Sequence, residues 1–292
     1  MDIEEILAQM GFDQQVQITA FIREEDGTDC DVWKIVADNI AYVLKKSSVQ
    51  ELSIYDIFLK STEYGAPRFY KSLDYHDKKF LLMEYIEGSD MRKCDRKSLI
   101  AVLDALIYLQ NMYWERRELQ DFGFGFEASL LGRHKRGKYL NDPDLEQAYE
   151  TYLQLYSNIP RTLCHDDLLP FNVLITKGKA TIIDWEYAGI LPYPTSLARL
   201  IAHGEEDKSA FFYMREEDKA YAIEYYYERF LKDKGIDYND YLRTMDYFLL
   251  FEFCEWIMLG NKYGDTESER FHKYYAKAKA LISGVPSGKI LL

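Results

Sequence analysis

The stretch Cys164–Trp185 reads CHDDLLPFNVLITKGKATIIDW. It contains two short apolar runs, Val173–Thr176 and Ala180–Ile183, with turn-forming residues between them. This pattern predicts the two strands of a β-hairpin. Because antiparallel strands pair side by side, the residue before the first strand lies near the residue after the second. We therefore expect the polar residues that flank this hairpin to lie together.

Oxygen-bearing side chains stand on both flanks of the hairpin. The motif His165-x-Asp167-x4-Asn172 precedes the first strand, and Asp184 ends the second. A carboxylate on a loop can orient and deprotonate a hydroxyl group. An amide oxygen and a second carboxylate can hold Mg²⁺, which keeps its other coordination positions for water and phosphate. Phosphoryl transfer uses such an arrangement, because its catalysis is mainly positioning and neutralisation of charge.

These motifs resemble those of a known family. HDDLLPFNVLI followed by IIDWEYAG is similar to the catalytic motifs of the aminoglycoside phosphotransferase and choline kinase superfamily, which has the protein-kinase-like fold. The resemblance implies that Asp167 is the catalytic base and that Asn172 and Asp184 bind Mg²⁺. It further implies that His165 supports the catalytic loop without reacting, and that Glu186 assists at the metal or the substrate.

The remaining sequence is compatible with this fold class. Alternating apolar patterns predict strands in the first ninety residues, with one main helix over Ser48–Lys60, and the chain is mostly helical after Gly88. The resemblance implies an α+β fold of two lobes. Residues 1–88 would form a small antiparallel sheet with one helix that binds nucleotide, and residues 89–292 a larger helical lobe with the catalytic loop and the substrate site.

The N-terminal region is expected to supply the nucleotide site. Lys45 closes the predicted strand AYVLK and is the expected partner of the α- and β-phosphates. Lys46 competes for this role, but strand alternation sends it to the opposite face. Glu51, in the following helix, is the expected ion-pair partner of Lys45. Glu84–Ile86 resemble the hinge that binds a purine, and Met83 would line the base pocket.

Two departures from the family pattern bear on activity. The acidic stretch Glu24–Asp31 has one glycine where a glycine-rich phosphate loop is expected, which leaves ATP and GTP as alternatives. Ser196 stands where the family has an aspartate that supports the catalytic loop, and this predicts weaker support. A second hypothesis is therefore a catalytically weak or inactive kinase-like module that binds nucleotide and regulates.

The acceptor is expected to lie among the C-terminal helices. In Tyr247–Leu259 the residues Glu252 and Glu255 share a helix face, and Trp256 follows them. Carboxylates beside an aromatic ring suit a cationic amine, so these three residues are substrate candidates. Helix-core packing and a solvated helix face are the competing interpretations. The predicted acceptor is the hydroxyl of a small cationic molecule that is aminoglycoside-like or choline-like.

Composition excludes several other classes of protein. The 292-residue chain has a formal net charge of −13, which disfavours a nucleic-acid partner. Its four cysteines are widely separated, the N-terminus is acidic, and no apolar run is long enough to span a bilayer. We therefore expect a cytoplasmic protein with a small-molecule substrate and no membrane partner, while the oligomeric state stays open. About ten residues separate Asp184 from Pro194, too few for the activation segment of a protein kinase.

The segment between the first two C-terminal helices carries a basic cluster. Tyr113–Pro143 shows no clear periodicity, so it is predicted to be irregular. Within it lies Arg133–Lys138, which reads RHKRGK. The cluster is expected to belong to a solvated loop, and contact with an anionic ligand is the alternative.

Overall fold

The N-terminal part of the molecule is built around one antiparallel sheet. The computed structural model describes residues 2–12, 15–22, 27–119 and 125–284. The sheet contains β1 (Gln17–Ile22), β2 (Asp29–Ala37), β3 (Ile40–Ser47), β4 (Phe69–Tyr75) and β5 (Lys78–Glu84). These strands are hydrogen-bonded in the order β1-β2-β3-β5-β4, and each neighbouring pair is antiparallel. The antiparallel sheet predicted for this region is confirmed.

One face of the sheet is covered by a helix that the sequence analysis did not predict. This helix, α1 (Ile3–Gln9), begins after Asp2, whose side chain accepts a hydrogen bond from the Glu5 N–H. Its apolar residues pack on alternate residues of the central strands, including Leu44 and Leu82. Its seven residues form less than two full turns, which is too short for a periodic apolar pattern to stand out.

The other face of the sheet packs against the predicted main helix. Ser48 caps α2 (Val49–Ile54) by accepting a hydrogen bond from the Glu51 N–H, and a π-helical turn follows over Tyr55–Leu59. Lys45 on β3 lies directly opposite Leu81 on β5. Opposed residues of an antiparallel pair share a face. Lys45 therefore points toward α2.

The remainder of the chain is mostly helical. It contains, in order, β6 (Ser89–Asp90), α3 (Arg96–Met112), α4 (Phe126–Gly137), α5 (Pro143–Asn158), β7 (Arg161–Cys164), β8 (Val173–Thr176), β9 (Lys179–Ile182), β10 (Gly189–Pro192), α6 (Thr195–Ala202), α7 (Glu216–Tyr226), α8 (Tyr238–Tyr263) and α9 (Glu269–Ile282). The short strands form a β6-β8-β9 sheet and a β7-β10 pair. One large apolar core joins these helices to α2 and β5. Of the helices in the described ranges, none has the length and apolar character needed to cross a membrane.

The prediction of an irregular segment before α5 was wrong. Helix α4 occupies part of it, and Arg133 of the basic cluster is buried in this helix. The Arg133 guanidinium lies 4.5 Å from the ring centre of Tyr156 and 4.6 Å from that of Phe251. These cation–π contacts compensate for part of the lost hydration of the guanidinium. The pattern of α4 is too polar to indicate burial, because its buried residues are Phe126, at its first position, and Arg133.

Gly88 lies where the sheet-containing part of the chain meets the helical part. A Cβ atom at this position would lie 2.7 Å from both the Ile175 carbonyl oxygen and the Thr176 Oγ1. Glycine therefore permits a close approach of β8 that a larger residue would obstruct. The division into residues 1–88 and 89–292 remains a prediction.

Candidate active site

The predicted hairpin brings its flanking residues together. In the β8–β9 pair, Val173 lies opposite Ile182. The hydrogen bonding continues one residue past the strands, since the Ile183 N–H donates to the Asn172 carbonyl at 2.9 Å. Asn172 and Asp184 are thus held at the same end of the hairpin.

Lys45 lies at the centre of an ion cluster that connects the sheet to the hairpin. Its Nζ is 2.8 Å from Glu51 Oε1 and 2.5 Å from Asp184 Oδ1. We call Lys45, Glu51 and Asp184 the lysine cluster. Burial on its own would lower the pKa of Lys45, but the two carboxylates outweigh it and raise that pKa above the usual value. The predicted Lys45–Glu51 ion pair is present, and it extends to a residue 139 positions away from Lys45.

Lys46 points away from the lysine cluster, as strand alternation predicted. Its Nζ lies 2.6 Å from Asp31 Oδ2 on β2. Asp31 belongs to the acidic stretch at which a phosphate loop was expected. Part of that stretch, residues 24–26, lies outside the described residues.

Asp167 is oriented by an arginine from another element. Arg199 on α6 donates to Asp167 Oδ1 from Nη2 at 2.8 Å and from Nε at 3.1 Å. Within the described ranges, Oδ2 of Asp167 makes no hydrogen bond. Burial raises the pKa of Asp167, and the positive charge of Arg199 opposes this rise.

The same guanidinium reaches two glutamates of α8. Its Nη1 is 2.8 Å from Glu252 Oε2 and 3.2 Å from Glu255 Oε2, and His203 Nε2 lies 3.2 Å from Glu252 Oε2. Burial raises the pKa of Glu252, but Arg199 and His203 outweigh this effect and the net shift is downward. We call the set Arg199, Asp167, Glu252, Glu255 and His203 the arginine cluster.

This cluster gives protein partners to both glutamates that were predicted to face a cationic substrate, and their contact with a substrate remains a prediction. The Glu252 side chain is only 3% exposed, and its charge is paired within the protein. Glu255 has a second partner, Arg136, whose Nη1 lies 3.1 Å from Oε1. The sequence pattern placed the two glutamates on one helix face correctly. It did not show that Arg199 lies against that face.

Trp256 lies beside the arginine cluster and is half-buried. Its ring stacks on Tyr274 with centroids 5.8 Å apart, and the Arg270 guanidinium lies 4.6 Å from its centroid. The buried indole Nε1 makes no hydrogen bond among the described residues. This placement agrees with the core-packing interpretation, which the sequence analysis had left open.

His165 supports the hairpin from within the core. Its Nε2 donates to the Ile183 carbonyl at 2.8 Å, and its ring contacts Trp185 edge to face. Burial lowers the pKa of His165 to about 4, so the imidazole is neutral near pH 7. Ser196 accepts a 2.9 Å hydrogen bond from the His165 N–H. A serine thus anchors the loop at the position where the family has an aspartate.

A second arginine holds the residue before Asp167. Asp166 has a positive φ of 55°, which non-glycine residues seldom adopt, although aspartate tolerates it better than most. Its Oδ1 accepts a 2.6 Å hydrogen bond from Arg133 Nη2. The sequence analysis missed the roles of Arg133 and Arg199. For Arg199 a signal exists, since this single charge stands inside the apolar run TSLARLIA.

The residues predicted to form a purine-binding hinge lie at the end of β5. Met83 is buried, and the Tyr55 hydroxyl donates to its sulfur at 3.6 Å. The Glu84 N–H donates to the Arg68 carbonyl at 2.9 Å. The Ile86 N–H forms no hydrogen bond in the part of the chain that is described. A backbone donor is therefore available beside Met83.

The donor atoms near the hairpin fit a magnesium ion that also binds phosphates. Asn172 Nδ2 donates to the Asp167 carbonyl at 2.9 Å, which leaves its amide oxygen free of protein donors among the described residues. The Asp184 side chain is 39% exposed, and only its Oδ1 bonds to Lys45. No group of three or more His, Cys, Asp or Glu residues suited to a metal exists within the described ranges. Mg²⁺ needs no such cage, because it commonly binds one or two protein oxygens together with substrate phosphates.

Glu186 and Tyr187 lie next to these groups. The Glu186 carboxylate, followed by burial, raises the pKa of the Tyr187 hydroxyl, and Asp167 and Asp184 add to the rise. Tyr187 is 52% exposed. This tyrosine was not predicted as a site residue, although it stands inside the quoted motif IIDWEYAG.

Solved structures of similar fold include kinases of small molecules. A choline kinase from Cryptosporidium parvum Iowa II is similar with a TM-score of 0.61 and 14% identity over 97% of each chain. A thermostable mutant of aminoglycoside phosphotransferase APH(4)-Ia, in a ternary complex with ADP and hygromycin B, is similar with a TM-score of 0.61 and 12% identity over 99% of each chain. These structural similarities confirm the predicted protein-kinase-like fold.

Sequence comparisons point in the same direction. A Protein LicA homolog from Mycoplasma capricolum is 25% identical over 176 residues, which cover 56% of this chain and 68% of that protein. The model of the phosphotransferase enzyme family matches residues 25–231. This match spans more than half of the chain and includes the hairpin and both ion clusters except for the α8 glutamates. The chain therefore belongs to the phosphotransferase enzyme family.

Proposed function

We propose that the protein transfers the γ-phosphoryl group of ATP or GTP to a hydroxyl group of a small molecule, with Mg²⁺ as cofactor. The observation that carries this proposal is the bridge formed by Lys45 between Glu51 and Asp184. The bridge puts a fixed cation beside the exposed carboxylate of Asp184, which itself interacts electrostatically with Asp167. Such a set of charges suits a bound triphosphate.

The nucleotide is assigned to the region where Lys45 joins the sheet to the hairpin. Lys45 would bind the α- and β-phosphates, and Glu51 would hold its ammonium in place. Met83 and the backbone of Glu84 and Ile86 would contact the purine. The Ile86 N–H, which has no acceptor among the described residues, supports this assignment, because a purine ring nitrogen can accept its hydrogen bond.

Asn172 and Asp184 would hold the metal through one amide oxygen and one carboxylate. When bound, Mg²⁺ supplies positive charge that offsets the phosphate oxygens. Within the protein, His165 and Ser196 keep the loop in position. Lys45 keeps Asp184 oriented until the nucleotide arrives.

Asp167 is assigned as the base. The acceptor oxygen forms a bond to the γ-phosphorus, and the bond from that phosphorus to the β,γ-bridging oxygen breaks. The acceptor proton passes to the Asp167 carboxylate, and the nucleoside diphosphate leaves. Since transition states of this reaction are loose, the main task of Asp167 is to orient the hydroxyl.

The acceptor class is a small alcohol that carries a positive charge, aminoglycoside-like or choline-like. Because Glu252 and Glu255 have protein partners, the groups best placed to meet that charge are Glu186 and Tyr187. An exposed aromatic ring beside a carboxylate can bind an ammonium group by charge and cation–π contact. We expect the reaction to occur in the cytoplasm, in agreement with the four unpaired cysteines.

The test is Mg²⁺-dependent nucleotide turnover with ATP and with GTP. The acceptor panel contains aminoglycosides, choline, ethanolamine, small sugars and neutral amino-alcohol analogues. Turnover that an acceptor stimulates, that a chelator stops and that Asp167→Ala abolishes would support the proposal. Nucleotide binding without turnover against the panel would favour the regulatory module, and an absence of nucleotide binding would contradict both.

A further inference from the structure

We propose that Arg199 is a positioning residue, which fixes the Asp167 carboxylate so that Oδ2 is the oxygen that receives the acceptor proton. This inference rests on the proposed function of Asp167. It concerns a residue on α6, outside the catalytic motif, that reaches the motif through its side chain.

The contact geometry distinguishes the two oxygens of Asp167. Arg199 Nη2 and Nε both donate to Oδ1, at 2.8 and 3.1 Å. Two donors on one oxygen restrict rotation of the carboxylate about its Cβ–Cγ bond. Oδ2 is left with its lone pairs unused within the described ranges. An acceptor hydroxyl can therefore approach one defined atom and not two equivalent ones.

Arg199 is itself held rigidly at its far end. Nη1 donates to Glu252 at 2.8 Å and to Glu255 at 3.2 Å, and the Arg199 side chain is only 18% exposed. Four N–H···O contacts thus fix both sides of the planar guanidinium. A fixed guanidinium loses little further freedom when it orients a carboxylate, which is the benefit of preorganisation.

The catalytic loop cannot supply this cation by itself. His165–Asn172 reads HDDLLPFN and contains no lysine or arginine. Of the cations in the described residues, Arg199 is the one within salt-bridge distance of Asp167. Arg133 is committed to the neighbouring Asp166. Helix α6 therefore provides what the loop lacks.

A purely structural role is the competing interpretation. Arg199 could serve only as the counter-ion of the buried Glu252 and Glu255, with the contact to Asp167 incidental. In that case its removal would weaken folding but would affect a folded enzyme equally with or without Asp167. The two interpretations therefore differ in a double-mutant cycle.

The experiment measures Mg²⁺–ATP hydrolysis, with water as the acceptor, so that no unidentified substrate is needed. Wild type, Arg199→Met, Asp167→Asn and the double variant are compared, each below its unfolding temperature. We expect Arg199→Met to lower kcat by about 10²-fold while the KM for ATP changes little, because a misplaced base affects the step and not nucleotide binding. In the Asp167→Asn background the same change should have no further effect.

Two further variants complete the test. Arg136→Met removes the other arginine from Glu255 without touching Asp167, and it should keep the wild-type kcat. Arg199→Lys keeps one positive charge but cannot make all four contacts, so it should recover only part of kcat. If Arg199→Met does not fold, the kcat of Arg199→Lys is compared with that of wild type instead.

The outcomes separate the two proposals. A wild type that hydrolyses ATP, with Arg199→Met and Arg199→Lys at the same kcat, would overturn the positioning role alone. Equal losses in the presence and absence of Asp167 would overturn it as well, in favour of the structural role. A folded wild type that shows no turnover with water or with any acceptor would contradict the proposed function, and this inference with it.

Discussion

The lysine cluster and the arginine cluster both reach the hairpin, but they differ in how their charges are exposed. The lysine cluster joins one cation to two carboxylates, of which Glu51 is 1% exposed and Asp184 is 39% exposed. The arginine cluster joins one cation to three carboxylates, which are between 3% and 25% exposed. An exposed carboxylate can exchange partners when a ligand binds, whereas buried, fully paired groups form a fixed support. The comparison suggests that the lysine cluster binds the ligand through Asp184 and that the arginine cluster holds Asp167 in place.

The largest expected difference concerns stability. Arg199→Met would remove the cation that three carboxylates share, and although Glu255 keeps Arg136, loss of the charged partner of a buried carboxylate such as Glu252 commonly costs about 3–5 kcal/mol. Lys45→Met should cost less, about 1–3 kcal/mol, because it separates two carboxylates and not three from their cation, Asp184 can turn to water, and the buried Glu51 keeps its hydrogen bond from Ser47 Oγ. Urea denaturation of both variants measures this difference. Equal losses in the free energy of unfolding would contradict the distinction between the arginine cluster as a fixed support and the lysine cluster as a group that can exchange partners.

The second prediction concerns nucleotide use, for which the lysine cluster should matter more than it does for stability. Lys45→Met should lower kcat/KM for the nucleotide by about 10²–10³-fold, as the loss of a fixed electrostatic contact does. Lys46→Met is the matched control, since Lys46 lies on the opposite face of β3 and pairs with Asp31. A comparable loss in Lys46→Met would contradict the assignment of the two faces.

A third prediction concerns the neutral His165 that stands between the clusters. Its pKa is about 4 in the folded protein and 6.5 in the absence of burial. The unfolded chain therefore binds a proton between these pH values while the folded chain does not, so the free energy of unfolding decreases as the pH falls through this range. We expect a loss of about 2 kcal/mol from pH 7.5 to pH 5 from this group.

His165→Gln tests this contribution, because glutamine can donate to the Ile183 carbonyl and does not titrate. Its free energy of unfolding should be lower than that of wild type at pH 7.5, and the gap should narrow at pH 5. Parallel pH profiles of the two proteins would show that His165 is not the group responsible.

The smallest expected effect belongs to an ion pair outside both clusters. Lys60 Nζ lies 2.8 Å from Asp56 Oδ1, with both side chains more than half exposed. Exposed i,i+4 pairs contribute about 0.3–0.5 kcal/mol. A double-mutant cycle with Asp56→Ala and Lys60→Ala, repeated at high salt, measures this value. If the coupling energy of Asp56 with Lys60 were as large as that of Arg199 with Glu252, burial could not explain why the clusters differ.

The members of the lysine cluster were predictable, because each follows from a local pattern or from the family motif, but the contact between Lys45 and Asp184, 139 positions apart, was not predicted. Strand alternation separates Lys45 from Lys46, the helix after β3 presents Glu51, and the hairpin delivers Asp184. Each of these inferences uses a few neighbouring residues and a known period. The family motif then identifies which of these residues belong together.

The arginine cluster was not predictable by the same means. Arg199 meets Asp167 across 32 positions of sequence and Glu252 across 53, and only helix packing determines those contacts. Arg133 likewise lies in a segment too polar to indicate a buried helix. Tertiary packing of long side chains leaves no period in the sequence, although a lone charge within an apolar run marks a position that needs a partner.

The most direct test of the central claim compares two adjacent aspartates. Transfer of the labelled γ-phosphoryl group to the acceptor found in the panel is measured in a single turnover for Asp167→Asn and Asp166→Asn. Asparagine tolerates the positive φ at position 166, and circular dichroism verifies that both variants fold. The account predicts a loss of about 10²–10⁴-fold in Asp167→Asn with unchanged nucleotide affinity, and near-normal transfer in Asp166→Asn. Undiminished transfer in Asp167→Asn would contradict it.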